Sequence, residues 1–326
     1  MRIGFVSCGL CAVLVLYASG CDAPNAAAPA QANQAQANQA QANQAQANQA
    51  QANQAQANQT QTSQAASDET SAAQDAAARS SGGFPRGKLI DLTHSFNEHT
   101  IYWPTESEGF RLHKGPAGFT ERGYYYAANR FSTAEHGGTH LDAPIHFYKD
   151  RPGADQVPLS KLLGEGAVID VTAPCRENPD YLVTVADLRA WEVQHQRQLV
   201  DVIVLIRTGY AKHWPNREKY LGTAATSEAA LAQLHFPGLD PDAARWLVEH
   251  RAIKAIGIDT ASIDYGQSTH FQSHVLLCEH QVPIFENVAD TSMLPETGFD
   301  VIALPMKIEG GSGGPLRIIA IVPEKE

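Results

Sequence analysis

From Gln31 to Gln59 the chain repeats the pentapeptide QANQA in tandem, ending on a partial copy. A five-residue period matches neither the 3.6-residue face of a helix nor the two-residue alternation of a strand. The stretch has no apolar stripe, so nothing offsets the entropy of ordering its backbone. The whole segment 21–84 is dominated by Ala, Gln, Asn, Ser and Thr. It is therefore expected to be a disordered tether, and a core can be built only from residues 85–326.

The residues ahead of the tether read as an export signal. In 1–20 a single Arg2 precedes an apolar run from Cys11 to Tyr17. That run is too short to span a bilayer, which takes about 20 apolar residues, and fits the apolar region of a secretory signal. Ala18-Ser19-Gly20-Cys21 resembles the bacterial lipoprotein box, with Ala18 where Leu is usual. The resemblance implies cleavage before Cys21, lipidation of its thiol, and an exported lipoprotein anchored in the cell envelope. A flexible tether of this length would have an end-to-end distance of roughly 45 Å. Of the five cysteines, only Cys175 and Cys278 would then remain in the folded part, and the sequence leaves open whether they pair.

The chain carries 24 Lys and Arg against 35 Asp and Glu, a net charge of −11. This acidic balance argues against a nucleic-acid partner, which would call for a basic face. Short apolar, β-branched runs predict buried strands. They lie at Lys88–Leu92, Ala167–Val171, Val202–Ile206, Ile253–Ile258, Val301–Leu304 and Leu316–Val322. A helix is predicted from Pro241, with Asp240 as N-cap and proline at the first helical position. A second is predicted over Tyr181–Gln198. The alternation reads as one α/β domain.

The chemistry concentrates in the run from Glu135 to Phe147, EHGGTHLDAPIHF. His136 and His140 have the spacing of the zincin pair, but no Glu follows His136, and Gly137-Gly138 disfavours a helix. A turn followed by a strand places His140 and Asp142 on one strand face, and the glycine turn can fold His136 back beside them. Two imidazoles and a carboxylate suit a divalent ion such as zinc or manganese. Pro144 would end the strand and present His146 nearby. Gly310–Gly314 fits the GxSxG pattern in form, but a strand-like segment follows where a nucleophile elbow needs a helix. A glycine turn is the better reading.

HGGTHLDAPIHF resembles the HxGTHxDxPxH signature of the cyclase family of metal-dependent hydrolases, which includes bacterial kynurenine formamidases and isatin hydrolases. KLIDLTHSF, Tyr102-Trp103-Pro104, the block HFPGLDPDAARWLVEHRAIKAIGIDTASID and PMKIEGGSGGPLRIIAI resemble its other segments. The resemblance implies a single swivelling β/β/α domain that forms a homodimer. It makes His136, His140 and Asp142 ligands of a first ion and His146 the catalytic histidine. In two-metal members Asp142 would bridge to a second ion held by His274 and Glu286, with His270 as the alternative to His274. Zinc, one ion or two, is expected, with manganese as the alternative. The ion would activate water for attack on an amide carbonyl, a formamide or lactam, with His146 as general base and then acid, a task suited to a near-neutral pKa. Trp103 and Tyr102 could stack on a planar aromatic substrate. A lactone or ester hydrolase, or a non-catalytic metal- or ligand-binding lipoprotein, are the competing readings.

Overall fold

A computed structural model describes residues 86–324. The signal, the tether and Cys21 lie outside the described residues. No helix among the described residues is long and apolar enough to cross a membrane.

The main sheet has eight strands, numbered here in chain order: β1 (Lys88–Asp91), β2 (His140–Asp142), β3 (Leu163–Asp170), β4 (Ile203–Arg207), β5 (Ala255–Ile258), β6 (Ile284–Glu286), β7 (Phe299–Pro305) and β8 (Gly313–Val322). Their order is β1-β8-β7-β3-β4-β5-β6-β2, and β2 pairs again with β8. That last pairing closes seven strands into a barrel, leaving β1 as an added edge on β8. The strands β3, β4, β5 and β6 pair parallel with one another, and every other pairing in the sheet is antiparallel.

Strand alternation sorts the apolar side chains into two layers. Leu141, Val168, Ile203, Leu205, Ala255, Phe285, Val301 and Ile318 fill the barrel. Their sequence neighbours Ala167, Ile169, Val204, Ile206, Ile256 and Ile284 face outward. There they meet three helices: α1 (Val185–His195), α2 (Pro241–His250) and α3 (Gln272–Glu279). Both faces of these strands are buried, which is why the sequence shows continuous apolar runs.

Asp240 caps α2, its side chain accepting from the Asp242 amide, with Pro241 first in the helix, as predicted. The expected helix over Tyr181–Gln198 is shorter. Leu182–Val183 instead forms a strand with Gly238–Leu239, and Thr184 with Asp187 makes a capping box that starts α1 at Val185. Cys175 and Cys278 are both buried free thiols, pushed up to about 12 and about 11 by burial. In the run Tyr210 to Phe236, Tyr210, Tyr220, Leu221, Leu234 and Phe236 pack with Ile101 and Trp103 in a third apolar cluster.

Candidate active site

The site sits on the seam that closes the barrel. On β2, Leu141 points into the barrel, so His140 and Asp142 point out. On β6 the same alternation sends Phe285 in and Glu286 out, and the register sets Glu286 opposite His140. His136 reaches this face because Gly137 and Gly138 turn the chain at φ +153° and +58°. A Cβ on Gly137 would lie 2.1 Å from the Tyr102 ring, so glycine is required there by space as well as by backbone.

His274 enters from the first turn of α3. Asp264 accepts the amides of Ser273 and His274, satisfying two unpaired groups of the helix start, and also holds His274 Nδ1 at 2.7 Å. His270, the alternative, is exposed at the surface.

The side chains converge closely. His136 Nδ1 lies 2.7 Å from Asp142 Oδ1, and His140 Nε2 lies 3.1 Å from the same oxygen. His274 Nε2 lies 3.1 Å from Asp142 Oδ2 and 3.0 Å from Glu286 Oε1. His140 Nε2 is 3.6 Å from Glu286 Oε2. Two overlapping trios have donor atoms within reach of one ion: His136, Asp142 and His146, and His140, Asp142 and Glu286. Asp142 belongs to both. His146, which follows Pro144 in a single 3₁₀ turn, stacks on His136 with ring centres 3.7 Å apart.

The outer hydrogen bonds fit a cation. His136 Nε2–H donates to Ser312 Oγ at 2.8 Å, and Ser312 donates to Glu135 Oε2 at 2.6 Å. His140 Nδ1–H donates to the Gly138 carbonyl at 2.9 Å. His274 Nδ1–H donates to Asp264. Each imidazole can thus place a proton on the outside and present its other nitrogen toward Asp142 and Glu286, the arrangement that ligating histidines use. His140, Asp142, His274 and Glu286 are 1–4% exposed. Buried carboxylates in such company are paired with cations or bind metal.

Burial alone would raise Asp142, but the imidazoles of His140 and His136 outweigh it and hold its carboxyl well below the usual range. Glu286 is raised by burial and by the charge of Asp142. Burial pushes His146 down to about 4, below the near-neutral value expected for it.

Beside this cluster lies a cavity of about 250 Å³. Its walls include Ile101, Trp103, Phe147 and Phe271; its polar end is formed by His136, His140, His146, His274, Glu286 and Asn287. Trp103 stands edge-on to Phe236 and Phe271. Tyr102 also borders the cavity, but is 6% exposed, with its hydroxyl 2.6 Å from Thr133 Oγ1 and its ring against Gly137.

All the proposed ligands, with His146 and Trp103, therefore gather at one place. Sequence reasoning missed Asp264, Glu135 and Ser312, which hold the outer sides of the imidazoles, and Phe147 and Phe271 in the walls. The Ser312 turn was visible only as a glycine-rich loop. Nothing in its spacing pointed to a histidine 176 positions away.

A family model described as "Putative cyclase" matches residues 90–265. The chain belongs to the cyclase family and is a hydrolase of that family. Isatin hydrolase of Roseibium aggregatum is 30% identical over 210 residues, covering 62% of this chain and 77% of that protein. Kynurenine formamidase of Salinibacter ruber is 25% identical over 236 residues, covering 71% and 96%. Among solved structures, isatin hydrolase A from Labrenzia aggregata bound to benzyl benzoate superposes with a TM-score of 0.65 at 34% identity, covering 73% of this chain and 94% of that one.

Proposed function

We propose that this protein hydrolyses the amide carbonyl of a small planar aromatic compound, a formamide or lactam. The observation that carries this reading is the cavity itself, which is lined both by the apolar and aromatic side chains Ile101, Trp103, Phe147 and Phe271 and by the imidazole–carboxylate cluster. A pocket of this kind binds a ring by burial and orients it through a few polar groups.

In this reading His136, His140 and Asp142 hold one divalent ion, and Asp142 with His274 and Glu286 a second. Zinc fits the nitrogen and carboxylate donors, with manganese the alternative. Such an ion supplies Lewis acidity, polarising a carbonyl and making water nucleophilic near neutral pH. His146 borders the cavity and stays neutral, so a ring nitrogen is free to take a proton from the attacking water and return it to the leaving nitrogen. Trp103, backed by Phe236, offers its indole to the substrate ring.

A second reading, ester or lactone hydrolysis by the same residues, is favoured by the ester held by the Labrenzia aggregata relative. The test is a hydrolysis panel of aryl formamides, lactams and aryl esters on protein of measured metal content. Turnover of formamides or lactams above esters supports the first reading; the reverse order selects the second, and no turnover of any class overturns both.

We further propose that Cys21 is lipidated and that the tether holds the domain at the cell envelope. Intact mass of the membrane fraction tests it; an unmodified form starting elsewhere overturns it.

A further inference from the structure

We infer that Asn287 is a further substrate-contacting residue, its side-chain nitrogen donating a hydrogen bond to the carbonyl oxygen under attack. Asn287 directly follows Glu286 at the end of β6 and borders the cavity. It is 2% exposed and holds a left-handed backbone at φ +51°, which asparagine tolerates better than most side chains. Its other polar groups are taken within the fold. The backbone N–H donates to the Thr260 carbonyl at 2.9 Å, the backbone carbonyl accepts from Thr139 Oγ1 at 2.7 Å, and Oδ1 accepts from the Tyr220 hydroxyl at 3.0 Å. Nδ2 is left. It lies 3.5 Å from His140 Nδ1, but that nitrogen faces the Gly138 carbonyl at 2.9 Å, which can only accept, so it carries its proton there. Two N–H groups do not bond one another, and Nδ2 has no acceptor among the described residues.

A buried donor left without an acceptor is costly, and folds rarely keep one without a role. The cavity beside Asn287 supplies the acceptor when an acyl compound occupies it. Other hydroxyls of the wall are engaged: Ser262 Oγ accepts from the Asp264 amide at 3.2 Å, and the Tyr102 hydroxyl meets Thr133 at 2.6 Å. On attack, the water oxygen bonds to the carbonyl carbon, the π pair moves onto the carbonyl oxygen, and the water proton goes to His146. Nδ2–H then faces a full negative charge, and its bond strengthens. The C=O bond re-forms as the C–N bond breaks, and His146 gives its proton to the leaving nitrogen. Tyr220 is the positioning residue. Its hydroxyl, also 3.2 Å from the Asp259 carbonyl, holds Oδ1 on its own side and leaves Nδ2 toward His140. This inference rests on the amide-hydrolysis reading above.

The test is Asn287→Gly, which suits the left-handed backbone and removes only the side chain. Kinetics on formanilide and oxindole are measured at equal metal content. Calorimetry compares phenylphosphonate, a tetrahedral oxyanion mimic, with indole, a neutral ring. The variant should lose about 10²–10³-fold in kcat with KM nearly unchanged. It should bind phenylphosphonate about tenfold or more weakly than the parent, and indole equally well. A merely structural role would lower the urea midpoint but spare kcat and phosphonate affinity; that result overturns the inference, as does a raised KM at unchanged kcat. A parent that hydrolyses neither amide defeats the hydrolysis reading instead, and the phosphonate arm then decides alone: selective loss keeps Asn287 as an anion donor, while equal affinities or no binding overturn it. Should Asn287→Gly fail to fold, Tyr220→Phe should lower kcat about tenfold at normal metal content; an unchanged kcat overturns the inference.

Discussion

His274 on α3 and Asp142 on β2 meet at 3.1 Å, Nε2 to Oδ2, although 132 positions separate them in sequence. Asp264 sets this contact, because it caps the helix that carries His274 and fixes the proton on the far side of the ring. Asp264→Asn should therefore weaken metal binding roughly 10–100-fold, the usual cost of losing an outer partner of a ligating histidine. Chelator competition measures it. His274→Ala should lower the metal content of a two-ion protein; full retention would remove His274 from the ligand set.

His146→Ala separates two roles that the stacking on His136 allows. As the proton carrier, its loss should leave metal content near normal and lower turnover about 10²–10⁴-fold. As a ligand, its loss should remove metal and turnover together. Metal stoichiometry and turnover on one preparation distinguish them.

His94 gives a stability prediction away from the site. It stacks on Trp214 with ring centres 4.2 Å apart, and burial pushes it from 6.5 down to about 4. Between those values the unfolded chain binds the proton and the folded one does not, so stability rises with pH there. The contribution is fully present above pH 6.5 and is lost as pH falls toward about 4. His94→Phe should flatten the denaturation midpoint across that window relative to the parent; parallel curves would refute the assignment.

Gly137→Ala should destabilise the protein by about 1–3 kcal/mol, the usual range for overpacking and left-handed strain. Its Cβ would strike the Tyr102 ring at 2.1 Å. Urea unfolding checks it, and an unchanged midpoint would show that the turn has room to spare.

Much of this was legible in the sequence because the relevant order is local. The barrel strands announce themselves by burial on both faces, and α2 by its Asp-Pro start. His136, His140, Asp142 and His146 are close in sequence, so a turn and a short strand suffice to gather them. Barrel closure was not legible, since it depends on β2 meeting β8 across 171 positions, Asp142 to Gly313. Asp264 and Ser312 were hidden for the same reason: their partners are made by topology. The two small strand pairs between Arg111 and Ser132 were not predicted, because their strands are three residues each and their Tyr and Phe side chains lie on the outside of the domain rather than in a core.

The double pairing of β2, with β6 on one edge and β8 on the other, has a consequence for the order of events in the cell. Glu286 and Ser312 reach the histidines only when those two strands are in place. β8 is the last strand of the barrel to leave the ribosome. Until it docks, His136 lacks the hydroxyl that fixes its proton and the seam stays open. Assembly of the reactive centre is thus the finishing step of the fold, and a chain cut short before Gly313 would have the ligands but no finished place to hold them.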